Sequence, residues 1–569
     1  MQVSDRHLSD RFAKRLKQRR RADARLRLYG MMAIGTALFL LVVLLGSIVF
    51  EARTAFTRHE LQLSVSRDDR TDRSLTQDAH AKLLSMFGDP QDRRTRQDIT
   101  QLVSALSLKI AGTTLVPGEV RTDQIVLSDK SDLYFKGLTT RVDRSTPVIN
   151  SVSGNVLSGE FSDLYRKAIR WRQAEIDQLA RSGLRSAEQR AEVLKRQLDE
   201  APDDPDLQAR LDGERTRAAQ MRARIEGFRS ELDSGSISLD ASTASVLVRT
   251  PTGFQRVVSI SENRMTTETL LENMSLPEKA QALFIHTPAV QRTLSDAQIA
   301  ALEWLKHEGL IRNTFNTSFF ARADSSEAEL AGLLAATIGS ILIILTTMLL
   351  AVPVGIAAAV YLEEFAPRNA FTRFIQVNIN NLAAVPSIVF GLLGAAIFVN
   401  GVVIPIPFVE ATFRLGGGLG RGWPIVGGIV LALMTLPTII ISSRAALSSV
   451  PDSIRQGALA VGATRLQTVH HHVMPMAAPG ILTGSIIGLA QALGETAPLL
   501  LIGMVAFIGD LPSGVTDRST ALPVLIFQWS TRAERAWEPM TSAAIIILLA
   551  LMLILNGLAV WLRMRYEKR

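Results

Sequence analysis

The sequence predicts an all-α polytopic membrane protein with six spanning helices and one large extracytoplasmic insert carrying a helical hairpin and some β structure. Three observations carry this. Six stretches are apolar over about 20 residues or more, the length a helix needs to cross the hydrocarbon layer: about 28–50, 331–360, 374–400, 424–443, 480–507 and 541–562. Residues 51–327, between the first two, are rich in Arg, Asp, Glu and Gln, a composition suited to water. Lys and Arg also gather at one set of span ends. Averages over all 569 residues (47% hydrophobic, net charge +8) hide this division into two materials.

The first stretch, Leu28–Phe50, follows a basic run and is too long for a signal-peptide core. No small-residue cleavage site precedes Glu51, so it reads as an uncleaved anchor. Ten basic residues from Arg6 to Arg27 form the tail 1–27 and hold it inside the cell. Beside an apolar span, that run reads as an orientation signal; nucleic acid is not an expected partner. Six crossings then put both termini in the cytoplasm and 51–327 outside. Arg368, Arg373, Arg444, Arg455, Arg465, Arg563, Arg565, Lys568 and Arg569 fall inside, whereas Arg414, Arg421, Arg518, Arg532 and Arg535 fall outside and soften the bias.

Within the insert, Leu184, Ala187, Ala191, Leu194 and Leu198 recur at 3-4 spacing, and Met221, Ile225, Phe228 and Leu232 repeat it. Ala201-Pro-Asp-Asp-Pro-Asp206 between them is a turn. The pattern predicts antiparallel helices over about 161–199 and 205–233, zipped by a heptad seam. Val246–Val258 reads as a strand pair around Thr252-Gly253, and Ser295–Gln298 as a capping box opening a helix that Gly309 ends. Two readings of the insert stand: a spacer, or a docking surface for an extracytoplasmic partner. It shows no catalytic constellation. His7, His59, His80, His286 and His307 lack ligand spacing, and the chain has no cysteine, so no metal site, disulfide or cofactor is expected.

Between the fourth and fifth spans lies Ser449–Pro475. Ser449, Pro451 and Asp452 read as a helix start, Gly462 as the left-handed residue that ends it, and Thr464–Gln467 as a second capping box. The second helix should present Leu466, Val469 and Val473 on one face and stop at Pro475. Two short helices hinged at Gly462, tied at both ends to spanning helices, suit the transmission of force; the plainer alternative is an amphipathic loop resting on the membrane.

This segment resembles the EAA loop of binding-protein-dependent ABC importer permeases, with pattern E-A-A-x3-G-x9-I-x-L-P. Aligned on Gly462 and Pro475, Gln456 stands for the Glu, Gly457 and Ala458 for the two Ala, His472 for the Ile and Met474 for the Leu. Gly355–Asn369, Leu382–Gly391 and Ala492–Leu500 are similar to phosphate-importer permeases of the PstA type. The resemblance covers 328–569 and the first span. It implies a MetI-like permease core in the bacterial inner membrane that carries phosphate. It also implies a PstC-type sibling permease, a PstB-type ATPase dimer and a periplasmic PstS-type phosphate-binding protein as partners. Arg455, Gln456, Gly457, Ala458, Gly462, Ala463 and Pro475 would then form the ATPase-coupling loop. The chain contains no GxxxxGK[ST] phosphate loop, which fits a non-catalytic permease whose ATP is hydrolysed by another subunit. Permeases for other oxyanions (molybdate, sulfate, phosphonate) are the nearest alternative, and a membrane-anchored sensor a more distant one.

Polar residues inside apolar spans are expensive and so mark a pathway. Glu495, Thr496 and Gln491 in the fifth span, Asn381 and Ser387 in the third and Thr438 in the fourth are the translocation candidates. Two readings of Glu495 stand, a gating ion pair and interhelical packing. Gly416–Gly422 looks like a phosphate loop, but neither a preceding strand nor a following helix is expected there, and a flexible turn is the reading. His470, His471 and His472 point in different directions on a helix and suit an ATPase contact better than a metal.

Overall fold

A computed structural model describes residues 10–66, 71–114, 120–250, 253–272, 280–405, 412–504 and 507–567. Arg6, His7, Thr252, Lys568 and Arg569 lie outside these. The chain divides into two compact units, 58–314 and the combination of 1–57 with 315–569. The first described element is helix α1 (Asp10–Ala52), whose apolar side chains between Leu26 and Phe50 are mostly exposed.

The 58–314 unit corrects the all-α expectation. Its first sheet pairs β1 (Thr57–Ser66) antiparallel with β2 (Val120–Val126). Helices α2 (Thr71–Ser85), α3 (Arg93–Thr100) and α4 (Ala105–Thr114) lie between these strands in sequence, and α5 (Asp129–Phe135) follows β2. The larger sheet is built from β3 (Val142–Ser145), β4 (Val148–Ser153), β5 (Val156–Glu160), β6 (Ser236–Ser238), β7 (Ser245–Thr250), β8 (Gly253–Ser261), β9 (Arg264–Glu272) and β10 (Gln281–Ile285). Its strand order is β3-β10-β7-β8-β9-β5-β4, with β6 added against β8. Alternation along its strands sends side chains to two cores. Leu247, Phe254, Leu271, Leu283 and Ile285 join one core with Ile99, Leu102 and α9 (Asp296–His307); Val246, Val248, Val257, Ile260 and Phe284 join the other with Phe161 and Leu164. Such short strands, many of them polar on one face, give a weak one-dimensional signal, and only the β7–β8 hairpin is read in advance.

The hairpin has the expected halves. Helix α6 (Ser162–Gln178) passes through one π turn, Leu179–Leu184, into α7 (Arg185–Glu200), and α8 (Pro205–Ser234) returns. Ala187 and Leu194 on one side and Leu211, Ala218 and Ile225 on the other are buried, each series spaced by seven. Asp204 caps α8 by accepting from the backbone N–H of Asp206 and Leu207, with Pro205 in the first turn. Ser295 and Gln298 form the reciprocal capping box of α9, and Gly309 takes φ +71° past its end. After α9 the chain returns as β11 (Ile311–Phe315), placed beside β1 in the first sheet.

The other unit continues with α10 (Thr317–Ala321), α11 (Leu334–Val360), α12 (Ala370–Ala383), α13 (Ser387–Gly394), strands β12 (Val402–Pro405) and β13 (Thr412–Leu415), and α14 (Pro424–Ser448). It ends with α15 (Asp452–Ala460), α16 (Arg465–Thr468), α17 (Met474–Gly494), α18 (Ala497–Leu501), α19 (Leu522–Ser530) and α20 (Trp537–Glu567). Among the described residues five helices are long and apolar enough to cross a membrane: Ala22–Ala52, Leu334–Phe365, Pro424–Ser448, Arg465–Gly494 and Trp537–Arg565. The expected third span is no straight helix. Ala370–Ala383 and Ser387–Asn400 meet at 99°, because Pro386 lacks an N–H and holds the residue before it out of the helical region. The fifth span is shifted as well, running from Arg465 to Gly494 and ending before Glu495.

Candidate functional site

The 449–475 element starts where α14 ends. Ser449 does not cap the next helix: its hydroxyl donates to Ala446 O at 2.8 Å, and Pro451 occupies the cap position without a side-chain bond. Arg455 organises the junction. Its Nη1 donates to Val450 O at 2.6 Å and to Asp452 Oδ1 at 3.1 Å. Its Nη2 donates to Leu447 O at 2.9 Å and to Glu364 Oε1 at 2.7 Å. One guanidinium thus bonds two carbonyls around the end of α14, Leu447 O (which also accepts from the Val450 N–H) and Val450 O, and ties α15 to the π turn Tyr361–Phe365 that follows α11. Arg444 and Glu363 make a parallel contact at 3.3 Å. Sequence reading named Arg455 but missed Glu363 and Glu364, although both lie in the quoted Gly355–Asn369 segment.

Gly462 has φ +93°, and two bonds end α15 there: Gly462 N to Leu459 O at 3.0 Å and Ala463 N to Ala458 O at 3.1 Å. No atom crowds the position where a Cβ would sit, so the need for glycine is one of backbone conformation alone. Thr464 and Gln467 form the reciprocal capping box that starts the next helix. That helix is not a separate short one. It passes through a π turn, Val469–Val473, straight into α17, and Pro475 does not stop it. The wide turn loosens the α-helical ladder immediately before the proline, whose missing N–H and bulky ring would otherwise disrupt it.

Ala458, Val469 and Val473 are buried, Val473 in one cluster with Ala359, Leu362, Leu447 and Ile481. Leu466 is not on that face; it is 68% exposed, as Val461 is at 85% and Leu459 at 45%. The element therefore presents an apolar tip, with Gln456 and Gly457 also exposed. His470, His471 and His472 are exposed on the π turn, the first two rings meeting edge to face at 5.0 Å.

Beyond this element α14 and α17 pack closely along Gly480, Gly484 and Gly488, which face Ala446, Ser442 and Ile439. A Cβ on Gly484 would meet the Ser442 side chain within bonding distance, so the two backbones approach as only glycine permits. Toward the end of this seam Thr438 Oγ1 lies 3.5 Å from Gln491 Oε1. The hydroxyls of Thr435 and Ser442 return to carbonyls of their own helix. Glu495 is the C-cap of α17, with extended backbone at φ −80° and ψ 120°, and α18 begins at Ala497. Its carboxylate has no hydrogen-bond or ion-pair partner among the described residues, and Thr496 beside it is half-buried. Asn381 is exposed near the end of α12, and Ser387 opens α13 beyond the bend. No hydrogen bond among the described residues joins either to the Thr438–Gln491 pair. The two interrupted helices do meet: Gly391 of α13 packs on Pro498 of α18.

The glycine loop corrects a further expectation. Strand β13 precedes it and α14 follows at Pro424. Even so, Gly417, Leu419 and Gly422 donate their N–H groups to Ile397, Phe398 and Ile502 carbonyls. Those amides are committed to the fold and form no anion cradle.

Residues 351–568 match the family described as binding-protein-dependent transport system inner membrane component, and 13–145 match a domain of unknown function. The chain is 32% identical over 231 residues to the phosphate transport system permease protein PstA of Yersinia pestis, covering 40% of this chain and 71% of that one. It belongs to the binding-protein-dependent transport system inner membrane component family. It is 35% identical to the probable ABC transporter permease protein YqgH of Bacillus subtilis, over 34% of this chain and 60% of the relative. It is 34% identical to the phosphate transport system permease protein PstC 2 of Mycobacterium bovis, over 32% and 62%. The chain thus spans less than two thirds of the Bacillus and Mycobacterium relatives. A solved structure of an inward-facing MetNI methionine ABC transporter aligns with 41% of this chain and 97% of its own, at 16% identity and a TM-score of 0.31. Family membership and the long apolar helices make this a multi-pass inner-membrane protein.

Proposed function

We propose that this chain is the permease subunit of an ATP-driven importer of inorganic phosphate. It forms the translocation pathway with a sibling permease of the PstC type and takes substrate from a PstS-type binding protein. The ATP is hydrolysed by a separate PstB-type dimer. The N- and C-termini face the cytoplasm and the insert faces the periplasm. The observation that carries the reading is the exposed apolar tip Leu459–Val461–Leu466 on an element clamped to α11, α14 and α17. A knob of that kind fits a hydrophobic socket on a soluble partner, and its clamps pass displacement into membrane helices rather than dissipating it in a loop. Phosphate as the cargo is supported by the names of the Yersinia and Mycobacterium relatives.

In this mechanism closure of the ATPase dimer drives the 449–475 element, with Arg455, Gln456, Gly457, Ala458, Gly462, Ala463 and Pro475 forming its coupling surface and hinge. The tilt of α14 and α17 opens the face that carries Thr438, Gln491, Glu495 and Thr496. Asn381 and Ser387 line the same route from the bent pair α12–α13. Substituting Gly462→Pro forces φ to about −65° where +93° is needed and removes the N–H that bonds Leu459. Reconstituted with its partners, that variant should insert normally and lose ATP-dependent phosphate uptake. Undiminished uptake would sink the coupling role. Competition by molybdate, sulfate and phosphonate in the same assay tests the cargo independently of the coupling.

A further inference from the structure

The 58–314 unit holds a cavity of about 260 Å³ between the end of its large sheet and the last turns of α9. That is slightly below the about 300–1,000 Å³ typical of drug-sized ligand sites. Arg249, Arg144, Lys306, His307, Glu303 and Phe254 are among the residues lining it. Strand alternation explains how Arg249 comes to be there. On β7, Val246 and Val248 enter one core, while Leu247 and Arg249 turn to the side of α9. The position an apolar residue would ordinarily fill holds a guanidinium.

Arg249 is only 3% exposed. Its Nε and Nη2 are sealed from solvent without a hydrogen-bond partner among the described residues, and the guanidinium lies 5.8 Å from the Phe254 ring centroid. A buried cation left unpaired is among the more costly arrangements in a folded protein. The rest of the wall does not relieve it. Glu303 is already engaged, accepting from Tyr134 Oη at 2.7 Å and from Arg144 Nη2 at 2.5 Å. Lys306 lies over the Phe135 ring at 5.5 Å and pairs with no carboxylate among the described residues. His307 lies 3.8 Å from Glu308. Three permanent cations thus face Glu303, which is taken, while Glu308 reaches Arg249 only by longer-range attraction. Burial pushes the Arg249 guanidinium below its ordinary value, and the longer-range pull of Glu308 and Glu303 does not offset it.

We propose that this cavity binds a small oxyanion of the phosphate class, held by Arg249 from the sheet and Lys306 from α9, at a site separate from the membrane helices. The guanidinium offers planar paired donors to two oxygens, and the ammonium adds a point charge. The shared ligand chemistry is a phosphate group, supplied either as the free ion or by a lipid headgroup. The inference does not rest on the transport reading, because no residue of the 449–475 element or of the polar face takes part.

The test is hydrogen–deuterium exchange on the full chain in nanodiscs of zwitterionic lipid, with and without inorganic phosphate at matched ionic strength in sodium chloride. Phosphate should protect 245–256 and 299–308, and Arg249→Met should weaken the dependence at least tenfold. Lys306→Met, at an exposed position, should weaken it about three- to tenfold. Without phosphate, Arg249→Met should melt no lower than wild type, which a purely structural arginine would not allow. Nanodiscs of anionic lipid form the second arm: protection there without added phosphate identifies a headgroup as the occupant. Absence of protection in both arms, equal protection by sodium chloride, or protection unchanged in both variants would overturn the proposal.

Discussion

A single carboxylate can be either structural or mechanistic, and two residues here divide along that line. Asp132 in the 58–314 unit is buried, which works against its charge. The His59 ring at 2.8 Å and the Lys136 ammonium at 2.5 Å more than offset burial and hold its pKa below the ordinary 3.8. A depressed carboxyl contributes stability in full above its unfolded value and loses it as pH falls through the folded one. Thermal midpoints between pH 5 and pH 2.5 should therefore fall more steeply for wild type than for Asp132→Asn; parallel curves would refute the assignment. Glu495 has no such partner among the described residues and sits where α17 breaks. In the proposed complex Glu495→Gln should lower phosphate uptake while leaving assembly intact, measured as flux per co-purified complex. Wild-type flux would remove it from the mechanism.

At the scale of elements, the informative feature is how a surface helix is fastened to membrane helices. The Arg455–Glu364 pair is mostly buried, and Arg455 also satisfies two main-chain carbonyls. Charge-assisted bonds of this kind typically couple by about 1–3 kcal/mol. A double-mutant cycle on Arg455→Met and Glu364→Gln, read by thermal unfolding in detergent, should return a coupling in that range. A value under about 0.5 kcal/mol would mean that the clamp is only a surface ion pair. The seam between α14 and α17 is the second fastening. Gly484→Ala should destabilise by about 1–3 kcal/mol, since the added methyl has no room beside Ser442. Ser442→Gly in the same chain should recover most of that loss.

For the molecule as a whole, among the described residues the two cores of the 58–314 unit contain no side chain from the distal hairpin. Phe161, Leu164 and Ala168 of the proximal end enter one core, with Ile169, Trp171 and Leu232 packed against it. The distal part is held by its own seam and by surface ion pairs such as Arg190–Glu214. Replacing 185–217 by a short Gly/Ser turn should therefore leave the thermal midpoint of this unit nearly unchanged. A large drop would show that the hairpin shares the core's cooperativity.

Periodicity and local chemistry settled a good deal from the sequence alone. Apolar runs of spanning length, the seven-residue seam of the hairpin, the capping boxes at Ser295 and Thr464 and the left-handed Gly462 are each specified by neighbours in the chain. Local rules erred where a contact distant in sequence or a change of helix type intervened. Ser449 serves the helix behind it, Pro475 is carried by a π turn, and the third span bends by 99° at Pro386. The partners of Arg455, the close approach at Gly484 and the unpaired Arg249 were legible only after folding, because each depends on residues that meet across the structure. Hydrogen bonding within a helix is encoded over four residues, whereas the surroundings of a side chain are set by what packs against it.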